Sequence, residues 1–224
     1  NKAEIVIVDN NSNDTTREVV KEYHNRPTPL WLLSNPVQGI APTRKMGMDA
    51  VLAHHNENDP SSHRFIVMAD GDTMYPPHWL DIIYNKFVGT DADMVTGIYT
   101  YPKWIDEQIY ATTDIKDFFG RLSLLAYFLM KNKLSNLPTI GANSAIEVEA
   151  YTAVDGINKD LPKGSDHDLG LKVGRKNGKI DLISAAVITS PRRALGAIVE
   201  GIDFAITNIN WRNFGIIFFS LILI

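Results

Sequence analysis

Cysteine is absent from the 224 residues. Its absence excludes a disulfide framework, a thiolate metal site and a cysteine nucleophile together, and it leaves the compartment open. A basic surplus is missing as well: 22 Lys and Arg stand against 26 Asp and Glu, a formal charge of -4. Charge alone will not hold a nucleic-acid backbone on such a chain, so no nucleic-acid partner is expected. Internal repeats and low-complexity tracts are lacking. The terminal apolar run, Phe214 to Ile224, is shorter than the ~20 residues that cross a bilayer. No signal peptide is visible, the chain opens at Asn1 without an initiator Met, and it stops while still apolar. These ends suggest a fragment of a longer protein. What remains is an ordinary globular composition, 45% apolar and 21% charged, sized for one α/β domain.

Short apolar runs alternate with helical patterns through the first hundred residues. Ile5 to Val8 reads as a strand that ends in the polar turn Asp9-Asn10-Asn11-Ser12-Asn13-Asp14, and Thr15 to His24 reads as a helix. Leu30 to Leu33 is a second strand, and Pro42 to His55 a second helix. Phe65 to Ala69 is a buried-type strand that runs into Asp70-Gly71-Asp72, before a helix from Pro77 to Phe87 and a strand from Met94 to Ile98. This alternation predicts a mostly parallel, doubly wound sheet covered on both faces. Ligands then sit outside the carboxyl ends of the strands, where Asp9, Asn10 and Asp70-Gly71-Asp72 fall. Further on, a helix is expected from Ile105 to Lys133 and a short one at Tyr151 to Val154. An apolar stripe at helical spacing runs from Leu195 to Ile209.

Three groups carry possible chemistry. Asp70 and Asp72 flank a glycine, so both carboxylates can face one hard divalent cation such as Mg²⁺ or Mn²⁺. Asp-Gly is also a common turn dipeptide. Asp166, with His167 and Asp168, follows Lys163-Gly164-Ser165. It suits a general base, and equally an acid at a helix N-terminus with Ser165 as cap. Arg44 suits a nucleotide base or phosphate, or a solvated helix face.

In order, these segments resemble the family 2 glycosyltransferases, which have the nucleotide-sugar-binding GT-A fold, Rossmann-like in character. Ile7 to Thr16 resembles that family's strand and turn around the nucleotide base. Asn35, Gly39 and Ala41 to Gly47 resemble its Asn…Gly…Ala-Arg-Asn-x-Gly segment, with Lys45 at the usual Asn. Asp70-Gly71-Asp72 matches its Asp-x-Asp motif. Gly141, Ala142 and Asn143, leading to Ile146, Glu149 and Gly156, are similar to its acceptor-side segment. Ser165-Asp166 stands where the family has Glu-Asp, which puts Asp166 on the catalytic base. The resemblance covers Ile5 to about Arg193, and the family's first strand would precede Asn1.

The resemblance implies donor contacts from Asp9, Asn10, Arg44, Asp70, Gly71 and Asp72, with Mg²⁺ or Mn²⁺ on Asp70 and Asp72. Without a Gln/Arg-x-x-Arg-Trp segment after Arg193, it implies inverting transfer of a single sugar to a lipid-linked or glycan acceptor. Residues 1–193 form the catalytic domain on this reading. Residues 194–224 form an amphipathic helix leading into a membrane segment, with Trp211 and Arg212 suited to the interface. The expected location is the cytoplasmic face of a membrane, the bacterial inner membrane, in cell-envelope polysaccharide assembly. Phe65 to Thr73 also resembles the opening motif of haloacid-dehalogenase-type phosphatases, with Asp70 as nucleophile. A non-catalytic nucleotide-sugar-binding relic is a third reading.

Overall fold

The computed structural model describes residues 3–54, 65–100, 102–105, 108–111 and 139–190. Strand β1 (Ile5–Asp9) and strand β2 (Leu30–Ser34) pair in parallel, joined through helix α1 (Thr16–Glu22). Helix α2 (Ile40–His54) follows and packs on β1. Next come β3 (Phe65–Met68), β4 (Thr73–Met74), α3 (Trp79–Gly89) and β5 (Met94–Thr100). A hairpin of β6 (Pro102–Ile105) and β7 (Gln108–Ala111) follows β5. The chain closes its described part with β8 (Ser144–Glu147), α4 (Val148–Ala153), α5 (Ser165–Arg175) and β9 (Ile180–Thr189).

The larger sheet has five strands in the order β3-β8-β5-β9-β4. Alternate residues feed two separate cores, as the two-residue period of a strand requires. Ile66 and Met68 of β3, Met94 of β5 and Ile146 of β8 face α2, α4 and α5, packing with Met48, Tyr151, Leu169 and Val173. Val67, Val95 and Ala145 point the other way, against Trp79, Ile83 and Phe87 of α3. Phe65 stacks on Phe87 with ring centroids 4.1 Å apart. Helices therefore cover both faces.

Strand direction departs from the mostly parallel expectation. β1 and β2 are parallel, β5 and β9 are parallel, and β3 shares their sense with β5. Yet β8 lies antiparallel between β3 and β5, and β4 antiparallel on β9. A crossover helix, as between β1 and β2, brings a strand back parallel to its predecessor, whereas the direction of β8 is set by pairing with partners far away in sequence. The helix expected from Ile105 is also corrected at its start, because Trp104 and Ile105 pair across to Ile109 and Gln108. Aromatic and β-branched residues there favour a pleated ribbon. The rest of that segment, and the helix expected over 194–224, lie outside the described residues. No described helix is long and apolar enough to cross a membrane.

Candidate active site

β3 delivers the acidic turn. Thr73 N–H donates to the Asp70 carbonyl at 3.2 Å, and Ser190 N–H to the Asp72 carbonyl at 3.1 Å. β4 pairs with the end of β9, where the Thr73 and Thr189 hydroxyls meet at 2.9 Å. The Tyr75 hydroxyl accepts from Asp70 N–H at 2.8 Å and donates back to the Asp70 carbonyl at 3.3 Å. Its ring lies on Trp79, centroids 4.1 Å apart. Burial pushes the Tyr75 phenol up to about 12, so it stays a donor at any working pH. Gly71 and Asp72 are exposed, and the Asp70 side chain is 39% exposed.

Two carboxylates on one braced, solvent-facing turn fit a hard divalent cation. Mg²⁺ is commonly held by one or two carboxylates, its other positions filled by phosphate oxygens and water. Among the described residues no group of three or more His, Cys, Asp or Glu is disposed to hold a metal ion.

Arg44, on the second turn of α2, joins this turn to the second acidic segment. Its guanidinium lies 3.0 Å from Asp70 Oδ1 and 3.4 Å from Asp166 Oδ1. Burial works against the arginine's charge, but Asp166 and then Asp70 outweigh it and raise its pKa. Arg44 is thus a fixed cation shared by two acids that lie 96 positions apart in the sequence.

Asp166 stands at the second position of α5. The helix is entered through Gly164, with φ +69°, and without a side-chain cap. Ser165 is thus the first helical residue, buried at 1% exposure, and not the cap expected from sequence. The other oxygen of Asp166, Oδ2, accepts from Gly141 N–H at 2.6 Å, and the Asp166 carbonyl accepts from the Thr139 hydroxyl. Its side chain keeps 21% exposure. A carboxylate aimed by a backbone N–H and a guanidinium, yet open to solvent, can take a proton from an incoming hydroxyl. Burial lowers the pKa of neighbouring His167 below its ordinary value, although Asp166 and Asp168 oppose that shift. The imidazole is therefore neutral at neutral pH.

The segment expected to face an acceptor divides in two. Gly141 faces the acids, and a Cβ built there would meet the Arg44 guanidinium at 2.1 Å. Ala142 and Asn143 instead turn into the core, with Asn143 at 0% exposure. The Asn143 amide donates to the Ile98 and Ala185 carbonyls at 2.8 and 2.9 Å, and its oxygen accepts from Trp79 Nε1 at 2.8 Å. The register between β5 and β9 slips at this point, from Thr96 opposite Leu182 to Ile98 opposite Ala186. Asn143 supplies the donors for carbonyls that the slipped ladder leaves open. In this structure it is a brace of the sheet.

Asp9 and Asn10, expected to contact the donor, spend their side chains on loop geometry. Asp9 accepts from Ser12 N–H at 3.2 Å and Arg17 Nε at 2.6 Å. The Ser12 side chain, and Arg17 after it, hold the Asp9 carboxyl below its ordinary value against the opposing effect of burial. Asn10 donates to the Asn35 and Val37 carbonyls and accepts from Gly39 N–H, so it fixes the approach to α2. Tyr75, Trp79 and Thr139 were not legible as site residues in the sequence. They act by touching the backbone or a buried amide, and no residue pattern signals such contacts.

An exposed acidic turn, a partly buried arginine and a third carboxylate thus meet at one sheet edge. The chain belongs to glycosyl transferase family 2, whose sequence profile matches residues 1–151. Solved structures with the same fold include a mannosyltransferase from Pyrobaculum calidifontis in complex with GDP-Man and Mn²⁺ (TM-score 0.63, 17% identity, 92% of this chain and 56% of that one). GalNAc-T7 with UDP, GalNAc and Mn²⁺ is similar at TM-score 0.56 and 13% identity over 84% of this chain and 38% of that one. Residues 1–349 of S. aureus TarS give 0.53 and 15% over 92% and 57%. These likenesses show the GT-A fold. The chain spans well under two thirds of each of those proteins. No curated protein matches it in sequence.

Proposed function

We propose that this chain is the donor-binding and catalytic part of an inverting glycosyltransferase that moves one sugar from a nucleotide sugar to a hydroxyl. The observation that carries this reading is Arg44, which sets the Asp166 carboxylate one guanidinium's width from Asp70. The acceptor oxygen attacks the anomeric carbon, its proton passes to Asp166, and the bond to the diphosphate breaks. Mg²⁺ or Mn²⁺ on Asp70 and Asp72 supplies charge neutralisation for the departing nucleoside diphosphate. Gly141 lies on the acceptor side of this arrangement and Gly71 leaves room for the diphosphate. Support for a nucleotide sugar and a divalent metal comes from the complexes that the similar folds form with GDP-Man, UDP and Mn²⁺.

A lipid-linked or glycan acceptor, and anchoring at the cytoplasmic face of a bacterial inner membrane through residues 194–224, belong to the same proposal. They rest on the apolar run Phe214 to Ile224 behind Trp211 and Arg212. Family membership sets aside the haloacid-dehalogenase reading of Asp70 as a nucleophile. The test is calorimetric titration of UDP-, GDP- and dTDP-sugars with and without Mn²⁺, paired with turnover by the complete gene product. Asp72→Asn removes metal-dependent donor binding. Asp166→Asn lowers transfer by ~10²-fold or more with donor binding nearly unchanged, since base catalysis is worth ~10²–10⁴-fold. Metal-independent donor binding, or full activity in Asp166→Asn, overturns the proposal. Donor binding without turnover by the wild type marks a binding relic. Quantitative recovery in the soluble fraction refutes the anchoring.

A further inference from the structure

Arg44 was expected to contact the donor, yet its guanidinium is already engaged by two acids of the chain itself. Asp70 Oδ1 lies at 3.0 Å and Asp166 Oδ1 at 3.4 Å, and the arginine side chain is 17% exposed. The close approach of Gly141 closes a third side of the guanidinium. Asp70 is at the same time a carboxylate offered to a divalent cation, so cation and guanidinium draw on the same negative charge.

We propose that Arg44 is a positioning residue that couples metal occupancy to the set of the base. In the metal-free chain the guanidinium neutralises both acids. When a divalent cation is held on Asp70, Arg44 loosens from it and keeps Asp166, steadying the carboxylate that receives the acceptor proton. Arg44 and the cation are therefore antagonists for Asp70, and partners in transfer. This inference rests on the reading of Asp70 and Asp72 as the metal pair.

The two roles predict effects of opposite sign, which mere damage to the fold does not produce. Arg44→Gln removes the competing charge, so Mn²⁺ binds more tightly, by on the order of 10-fold for a partly exposed pair at this distance. The same substitution lowers transfer by ~10²-fold through the misplaced base. Arg44→Lys keeps a charge but pairs with one acid at a time, so its Mn²⁺ affinity falls between the two and its transfer stays low.

The measurement is Mn²⁺ binding followed by electron paramagnetic resonance, without donor, in wild type, Arg44→Gln and Arg44→Lys. Circular dichroism checks that each variant is folded. Tighter binding in Arg44→Gln, with the order Gln, Lys, Arg, supports the coupling. Unchanged or weaker Mn²⁺ binding in both variants, while the wild type binds Mn²⁺, overturns it and leaves the metal reading standing. Absence of Mn²⁺ binding by the wild type, even with UDP present, overturns the metal reading and this inference with it.

Discussion

Asn143→Ala separates a brace of the sheet from a group that touches substrate. The side chain satisfies the Ile98 and Ala185 carbonyls and the Trp79 indole N–H, all at 2.8–2.9 Å in a fully buried position. Alanine leaves all three without that partner, two of them, the Ala185 carbonyl and the Trp79 N–H, in fully buried contacts. Each orphaned group costs about 1–3 kcal/mol, so the expected loss is about 3–6 kcal/mol after some relaxation. A domain holds only about 5–15 kcal/mol in all. The variant should therefore unfold at a much lower urea concentration, or fail to accumulate as soluble protein. Trp79→Phe keeps an aromatic side chain but loses the indole N–H, orphaning the Asn143 oxygen and leaving a small cavity, for about 2–4 kcal/mol together. Gly97→Ala is the partner test, because its Cβ would meet Asn143 Nδ2 at 2.2 Å and the Ala185 carbonyl at 2.7 Å. The assay is equilibrium urea unfolding followed by tryptophan fluorescence, with donor binding as control. An Asn143→Ala protein of wild-type stability that has lost only acceptor affinity would refute the reasoning and return Asn143 to the acceptor side.

Gly141→Ala should displace the Arg44 guanidinium, lowering transfer by ~10²-fold while unfolding stability changes by about 1–2 kcal/mol at most; single-turnover kinetics and urea melts read the two separately. Asp9 gives a pH signature. Its folded pKa is depressed, so its contribution is fully present above the ordinary aspartate value of about 3.9. That contribution is lost as pH falls through the lower folded value. Urea midpoints measured downward from pH 5 should drop more steeply in the wild type than in Asp9→Asn, and parallel curves would contradict the assignment.

Much of the architecture was legible along the chain because local patterns report local physics. Ile5-Val6-Ile7-Val8 and Phe65-Ile66-Val67-Met68 are strands by composition and length, and the helical spacing of α2 and α3 shows wherever apolar residues must meet one sheet face. The family resemblance was carried by five segments in order: the turn after Ile7-Val8, the Arg44 segment, the acidic turn, the Gly-Ala-Asn segment and the second acidic knot. Strand direction was not legible. Ser144-Ala145-Ile146-Glu147 has no strand signature, and its antiparallel place between β3 and β5 is set by partners far away in sequence.

The site divides along the same line. Sequence alone determined which carboxylates and which arginine the protein has, because ionisable groups on polar turns declare themselves by type. Only the tertiary structure decided their roles. It put one partly buried guanidinium between Asp70 and Asp166, and turned Asn143 inward while leaving Gly141 at the acids. It also committed Asp9 to the turn between β1 and α1, and Asn10 to bracing the loop before α2. The physical reason is that a side chain's work is fixed by its direction and its neighbours. At this sheet edge those neighbours come from α2, β3, β8 and α5, which meet only after both cores have packed.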